Sequence, residues 1–220
     1  MTEERGFTLV ELLVAVFIAG IVMAGVYSAY YSQQKSYTNQ EQMAEMQQNL
    51  RSALYFMAKE IRMAGCNPMG WTNSAGFQAI GANSVSFSMN IRGQSAFDPP
   101  DKDTGDPDEN IVYSLSDWNG DGINDLMRST PPTGNAPVAE NIDALDFVYL
   151  DANDNVTGDR LAVRSVQITL VARTGKADRG FTDTTTYTNL QGTTILAAPN
   201  DHFRRRMLST HVKCRNMGLL

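Results

Sequence analysis

Gly6-Phe7-Thr8-Leu9-Val10-Glu11-Leu12-Leu13-Val14 is the stretch on which the reading of this chain turns. It opens an apolar run from Phe7 to Val26, about 20 residues and long enough to cross a bilayer. One charge, Glu11, interrupts the run. An acid there is costly unless something uses it. Six residues precede Phe7, with one Arg and two Glu among them. They do not form the basic region, separate apolar region and Ala-x-Ala site of an ordinary secretory signal peptide.

No proline occurs from Met1 through Asn67. One helix is therefore expected from Phe7 to about Ala64, on the order of 85 Å at 1.5 Å rise per residue. A helix of that length exceeds a small globule, so part of it must lie in lipid or against other chains. Ala15, Ala19, Gly20, Ala24 and Gly25 are small residues that let helices approach closely. Tyr27, Tyr30 and Tyr31 follow where an interfacial aromatic belt belongs. After Ser32 the composition turns polar. Met43, Met46, Leu50, Leu54, Met57, Ile61 and Ala64 then recur at steps of three and four, an apolar stripe that must cover a core. Lys59, Glu60 and Arg62 lie off it and read as a solvated face. Gly65 and Pro68 stop the helix.

Beyond Asn67 the pattern changes to short strands: Ser84–Ile91, Asn110–Leu115, Ile142–Leu150, Leu161–Arg173 and Phe203–Val212. In the fourth, Val163, Val166, Ile168, Leu170 and Ala172 mostly alternate with Arg164, Gln167, Thr169 and Arg173. Phe97–Asn110 and Ser129–Ala139 are rich in Pro and Asp and read as loops. Asp101 to Glu109 reads as a solvated acidic loop, and Asp151–Asn155 as a hairpin turn. A long helix followed by antiparallel strands is an α+β pattern.

A net charge of −6 over 220 residues argues against nonspecific binding to nucleic acid, which needs clustered cations. Arg204-Arg205-Arg206 reads as a solvated turn or strand end. Cys66 and Cys214 lack the spacing of a zinc site. In an exported chain they would form one disulfide; otherwise they are two independent buried thiols. Asp117, Asn119, Asp121 and Asp125, with the Ile123 carbonyl, could surround one Ca²⁺. Arg128 stands where a full EF-hand loop needs an acid, so the segment is not an EF-hand; its D-x-N-x-D-G pattern looks more like extracellular calcium loops. The competing reading is an Asp/Asn/Gly turn with no ion. His202 and His211 have no nucleophile pattern beside them, and no phosphate loop or H-E-x-x-H motif is present. The chain does not read as an enzyme.

The Gly6–Val14 segment resembles the processing site of type IV prepilins and type II secretion pseudopilins. Further along, Tyr27-Ser28-Ala29-Tyr30, Gln33-Gln34-Lys35-Ser36-Tyr37, Glu45-Met46-Gln47-Gln48-Asn49-Leu50-Arg51 and Glu60-Ile61-Arg62-Met63-Ala64-Gly65 resemble minor pilins of the PilW family, which are related to J-type pseudopilins. More loosely, Val163–Arg173 and Lys213-Cys214-Arg215-Asn216 do so too. The resemblance implies that prepilin peptidase cuts between Gly6 and Phe7 and methylates the new Phe7 amine. It implies that Glu11 pairs with the N-terminal amine of a neighbouring subunit. Partners would then be other minor and major pilins, the peptidase and assembly platform proteins. The chain would sit single-pass in the bacterial inner membrane with a periplasmic head, then in a surface pilus. Residues 1–6 would be a leader, 7–31 the transmembrane and filament-core helix, 32–65 the amphipathic continuation and 66–220 the head. The departures are a leader whose Glu3 and Glu4 outweigh Arg5 and an apolar helix without the midway proline of many major pilins. Residues 70–141 are not covered by the resemblance and leave room for a tip adhesin or DNA-capturing pilin. A pseudopilin of a secretion system would share every part.

Overall fold

The computed structural model describes residues 6–70, 75–94, 98–131 and 134–218. Residues 1–5 of the expected leader, and Phe97 at the start of one expected loop, lie outside them. The chain divides into two compact units, Met1–Gln42 and Met43–Leu220. In the first unit every described residue from Gly6 to Tyr37 is exposed, including the whole apolar run.

Helix α1 spans Leu9–Ile61. Within the second unit its Met46, Leu50, Ala53, Leu54, Met57 and Ile61 are buried, and Ala64 follows them into the same core. That is the expected stripe, with Met43 half-buried beside it. Gly65 ends the helix in the left-handed region at φ 77°, where a side chain is disfavoured, and its N–H donates to the Ser88 carbonyl at 3.0 Å. A Cβ there would also lie 2.9 Å from Met217 Sδ.

Strands β1 (Gly76–Ile80), β2 (Ser84–Ser88), β3 (Asn110–Ser116), β4 (Asp125–Thr130) and β5 (Gly134–Ala139) form an antiparallel sheet in sequence order. Strands β6 (Ile142–Leu150), β7 (Ser165–Arg173) and β10 (Arg205–Lys213) form a second, ordered β10-β7-β6. Strands β8 (Tyr187–Thr188) and β9 (Thr194–Leu196) pair as a small ribbon. The main core joins the α1 stripe to Phe77, Phe87, Ile111 and Tyr113 of the first sheet and Phe147, Val166, Ile168, Leu170 and Val212 of the second. The α+β class is observed, with the head's β-structure divided between sheets.

Three details depart from the sequence pattern. Strand β2 stops at Ser88 because the N–H groups beyond it are taken elsewhere: Met89 donates to the Glu109 carbonyl, Asn90 to the Cys66 carbonyl, and Ile91 and Arg92 to Glu109 Oε1. Ser129–Ala139 is not a loop: it completes β4 and supplies β5, where Pro137 is accommodated because β5 is an edge strand. Strand β7 does not keep one wet face, for Thr169 and Val171 are also buried. Ala144, Val171 and Tyr187 form a second apolar cluster with Ile195 and Leu196, so the β8–β9 ribbon covers that side.

Candidate functional site

Thr8 and Glu11 sit three residues apart at the start of α1 and close a capping box. The Thr8 N–H and hydroxyl both donate to Glu11 Oε2 at 2.9 Å. The Glu11 N–H donates back to Thr8 Oγ1 at 3.3 Å, and the Leu12 N–H begins the helical ladder on the Thr8 carbonyl. Glu11 is therefore a helix-starting group as well as a charge in an apolar segment. T-x-x-E is the capping signature in the sequence. Both Thr8 bonds fall on one oxygen, and Oε1 has no partner among the described residues. Around this site Phe7 is 92% exposed, and Leu9, Val10, Leu12, Leu13 and Val14 are exposed with it. An apolar surface of that extent needs lipid or other chains to cover it.

In the second unit, Glu60 is not a solvated helix residue. It accepts the Tyr113 hydroxyl, and Arg128 approaches it with Nε at 3.0 Å and Nη2 at 2.9 Å. Tyr113 and Arg128 face each other across β3 and β4. Arg128 Nη2 also meets Asp108 at 3.3 Å, and Arg92 reaches the other Asp108 oxygen at 3.7 Å. Burial and the Glu60 charge raise the Tyr113 phenol, so it remains a donor.

The Asp117–Asp125 loop is closed by its own backbone. Asp117 accepts the N–H groups of Gly120 at 2.7 Å and Gly122 at 2.9 Å, and both glycines have positive φ. Asn119 accepts from Asp121 N–H at 3.1 Å, and Asp121 from Ile123 N–H at 2.8 Å. Buried Asp125 accepts from Trp118 and Asn141 N–H. An ionised carboxylate offers about four lone-pair sites, so each acid keeps acceptor capacity. The three acids that gather within mutual ligand distance among the described residues are others, Asp101, Asp103 and Asp106.

Cys66 and Cys214 are both free thiols, so the expected disulfide is corrected. Each is set by its own backbone anchor: the Cys66 carbonyl accepts from Asn90, and the Cys214 N–H donates to the Arg164 carbonyl. These anchors do not bring the sulfurs into the narrow geometry of a disulfide. Burial raises the Cys66 thiol and pushes the Cys214 thiol up to about 12, which makes both weak nucleophiles.

The arginine triplet is likewise corrected in part. The Arg205 side chain is 3% exposed and is held by Asp143 at 2.6 Å, Asp183 at 3.2 Å and both Asp201 oxygens at 2.6 and 2.7 Å. Arg204 pairs with Asp178 at 2.9 Å and stacks on Phe181. Their partners are 4 to 62 residues away, which is why no local pattern announced them. His202 Nδ1 bonds the Phe181 carbonyl at 2.6 Å, and His211 lies exposed on β10. Asp151 accepts the N–H groups of Asn153 and Asn155, forming the expected turn between β6 and β7.

Two family descriptions match the sequence. The prokaryotic N-terminal methylation motif matches residues 1–27, and type IV pilus-assembly protein W matches residues 140–216. No curated protein matches it. Among solved structures, a type IV-like pilin from Thermus thermophilus superposes with a TM-score of 0.50 at 17% identity, over 77% of this chain and 96% of that one. At that identity the likeness speaks for the fold, a long N-terminal helix whose later turns pack on antiparallel sheets. The apolar helix and the motif fit a membrane-anchored pilin. The chain carries the prokaryotic N-terminal methylation motif and a segment similar to type IV pilus-assembly protein W, and its fold is similar to that of a type IV-like pilin.

Proposed function

We propose that the chain is a minor pilin, anchored in the inner membrane after removal of residues 1–6 and incorporated with other pilins as a pilus is primed, at or near its tip. The observation that carries this reading is the Thr8–Glu11 capping box at the head of a bare apolar helix. Thr8 fixes the Glu11 carboxylate and leaves Oε1 to accept a neighbour's N-terminal amine. Burying the acid and the amine together in an apolar filament core compensates both charges, whereas either alone would be costly. Prepilin peptidase and the assembly platform are the machinery this role needs. The head lies in the periplasm in this reading and on the cell surface after assembly. The Asp117–Asp125 loop supplies a Ca²⁺ site through Asp117, Asn119, Asp121, the Ile123 carbonyl and Asp125.

Intact mass of the native protein tests the first step: a chain starting at methylated Phe7 is expected, and an unprocessed N-terminus rejects the reading. Glu11→Ala is expected to insert in the membrane yet fail to enter pili. A deletion strain scored for pili and for secreted enzymes assigns the machine; loss of secretion with normal pili would transfer the same role to a type II secretion pseudopilus.

A further inference from the structure

The segment leading into β3 holds Asp101, Asp103 and Asp106, whose ligand oxygens all lie within 4.8 Å of one another. Asx turns account for the direction of the first two: Asp101 accepts the Asp103 N–H at 2.9 Å, and Asp103 the Gly105 N–H at 2.8 Å. They do not account for Asp106. That residue is only 8% exposed, and its Oδ2 is buried without any hydrogen bond. Two more oxygens nearby share its condition. Glu109 is fully buried; its Oε1 accepts Ile91 and Arg92 N–H, while Oε2 accepts nothing. Asn90 is also fully buried; it donates to the Asp101 carbonyl at 2.7 Å and leaves its own Oδ1 unbonded. Among the described residues no Lys or Arg pairs with Asp101, Asp103, Asp106 or Glu109; Arg92 and Arg128 are turned to Asp108 instead.

Buried acceptors in native proteins find partners, and a bound cation is one that can satisfy several orphaned oxygens at once. The donor set is oxygen alone, which selects a hard ion. The ligand oxygens all lie within 4.8 Å of one another, close enough for one ion to reach all three. Three carboxylates on one short segment suit calcium, which takes six to eight oxygen ligands in flexible geometry, better than magnesium, which keeps several waters and uses one or two carboxylates.

We propose that Asp101, Asp103 and Asp106 bind a calcium ion, with Asp106 Oδ2 as the buried ligand and Glu109 as a further negative charge behind it. The ion ties the acidic segment to the backbone that follows β2, because Asn90 holds the Asp101 carbonyl and Glu109 holds Ile91 and Arg92. The site is separate from the Asp117–Asp125 loop and does not depend on the pilin role.

The test uses the full-length protein in detergent, stripped with chelator, and CaCl₂ as the probe. The work is done on an Asp121→Ala background so that the other loop contributes nothing. Millimolar calcium is expected to raise the melting temperature by several degrees, with a smaller rise from equimolar MgCl₂. Adding Asp103→Asn, at an exposed position where folding is not at risk, abolishes the calcium shift. Asp106→Asn abolishes it too and raises the metal-free melting temperature, since a buried repulsion is removed; a merely structural Asp106 would lower it. A calcium shift retained in Asp103→Asn, or no calcium shift on the Asp121→Ala background, overturns the proposal.

Discussion

The two sheets of the head are stabilised by different means. The β10-β7-β6 sheet is covered on both faces, by the α1 stripe and by the β8–β9 ribbon, and its most buried cation is well matched: Arg205 meets three aspartates at once. It coincides with the part of the chain that matches the pilus-assembly protein W family. The five-stranded sheet takes α1 on one side and carries the acidic loops, with acids clustered and buried oxygens left without partners. The β10-β7-β6 sheet encloses its buried cation among acids; the five-stranded sheet encloses buried acids, Asp106 and Glu109, that no cation among the described residues pairs.

Arg205→Met breaks this contrast most directly. It strands Asp183, 1% exposed, and half-buried Asp143 in a nearly dry site, and removing one partner of such a cluster costs about 3–5 kcal/mol. Denaturant unfolding of the full chain in detergent measures it; a loss below about 1 kcal/mol would mean that the cluster is solvated. In the other sheet, Arg128→Ala leaves Glu60 with the Tyr113 hydroxyl alone. A loss of about 2 kcal/mol is expected, smaller because Glu60 and Arg128 keep roughly a fifth to a quarter of their side-chain surface in water.

The pH dependence of the Arg205 effect sharpens the assignment. Burial opposes the Asp183 charge, but Thr185, Tyr187 and Arg205 donate to it and hold its carboxyl below the usual range. Arg205 does the same for Asp201. A carboxyl lowered by folding contributes stability that is present above its unfolded value of 3.8 and is lost as pH falls through the folded value. The gap between wild type and Arg205→Met should thus be constant near neutrality and shrink below about pH 4, with pH-jump denaturation as the check. Gly65→Ala is expected to cost about 1–2 kcal/mol, mainly from the left-handed backbone, since Met217 Sδ can swing aside. Asp121→Ala in chelator should change stability by less than about 0.5 kcal/mol, because it touches only an exposed turn.

Legibility in the sequence followed the range of the interactions. The Met46–Ile61 stripe, the Gly65 stop and β3 and β6 were readable because periodicity and caps are local. Strand β4 was hidden behind an Asp/Asn/Gly loop, and β5 behind Pro137, whose missing N–H matters little on an edge. The buried roles of Glu60 and Arg205 left no trace, since their partners Arg128, Asp143 and Asp183 lie tens of residues away. In the N-terminal segment the charge of Glu11 is plain in the sequence, and the T-x-x-E spacing that ties it to Thr8 is equally local. The D-x-D-x-x-D spacing of residues 101–106 was equally visible, but only burial distinguishes Asp106 from an ordinary surface acid.

The closure of α1 at Gly65 has a consequence for how the head is made. Asn216 donates to the Arg62 carbonyl across 154 residues, and Met217 packs against Gly65. The helix end emerges before every strand of the head during synthesis, and its lid only after all of them. A growing chain therefore holds the buried side of Leu50, Met57 and Ile61 unfinished until nearly every strand has followed. Long-range closure of this kind slows folding, so completion of the head waits on the segment that follows the last strand.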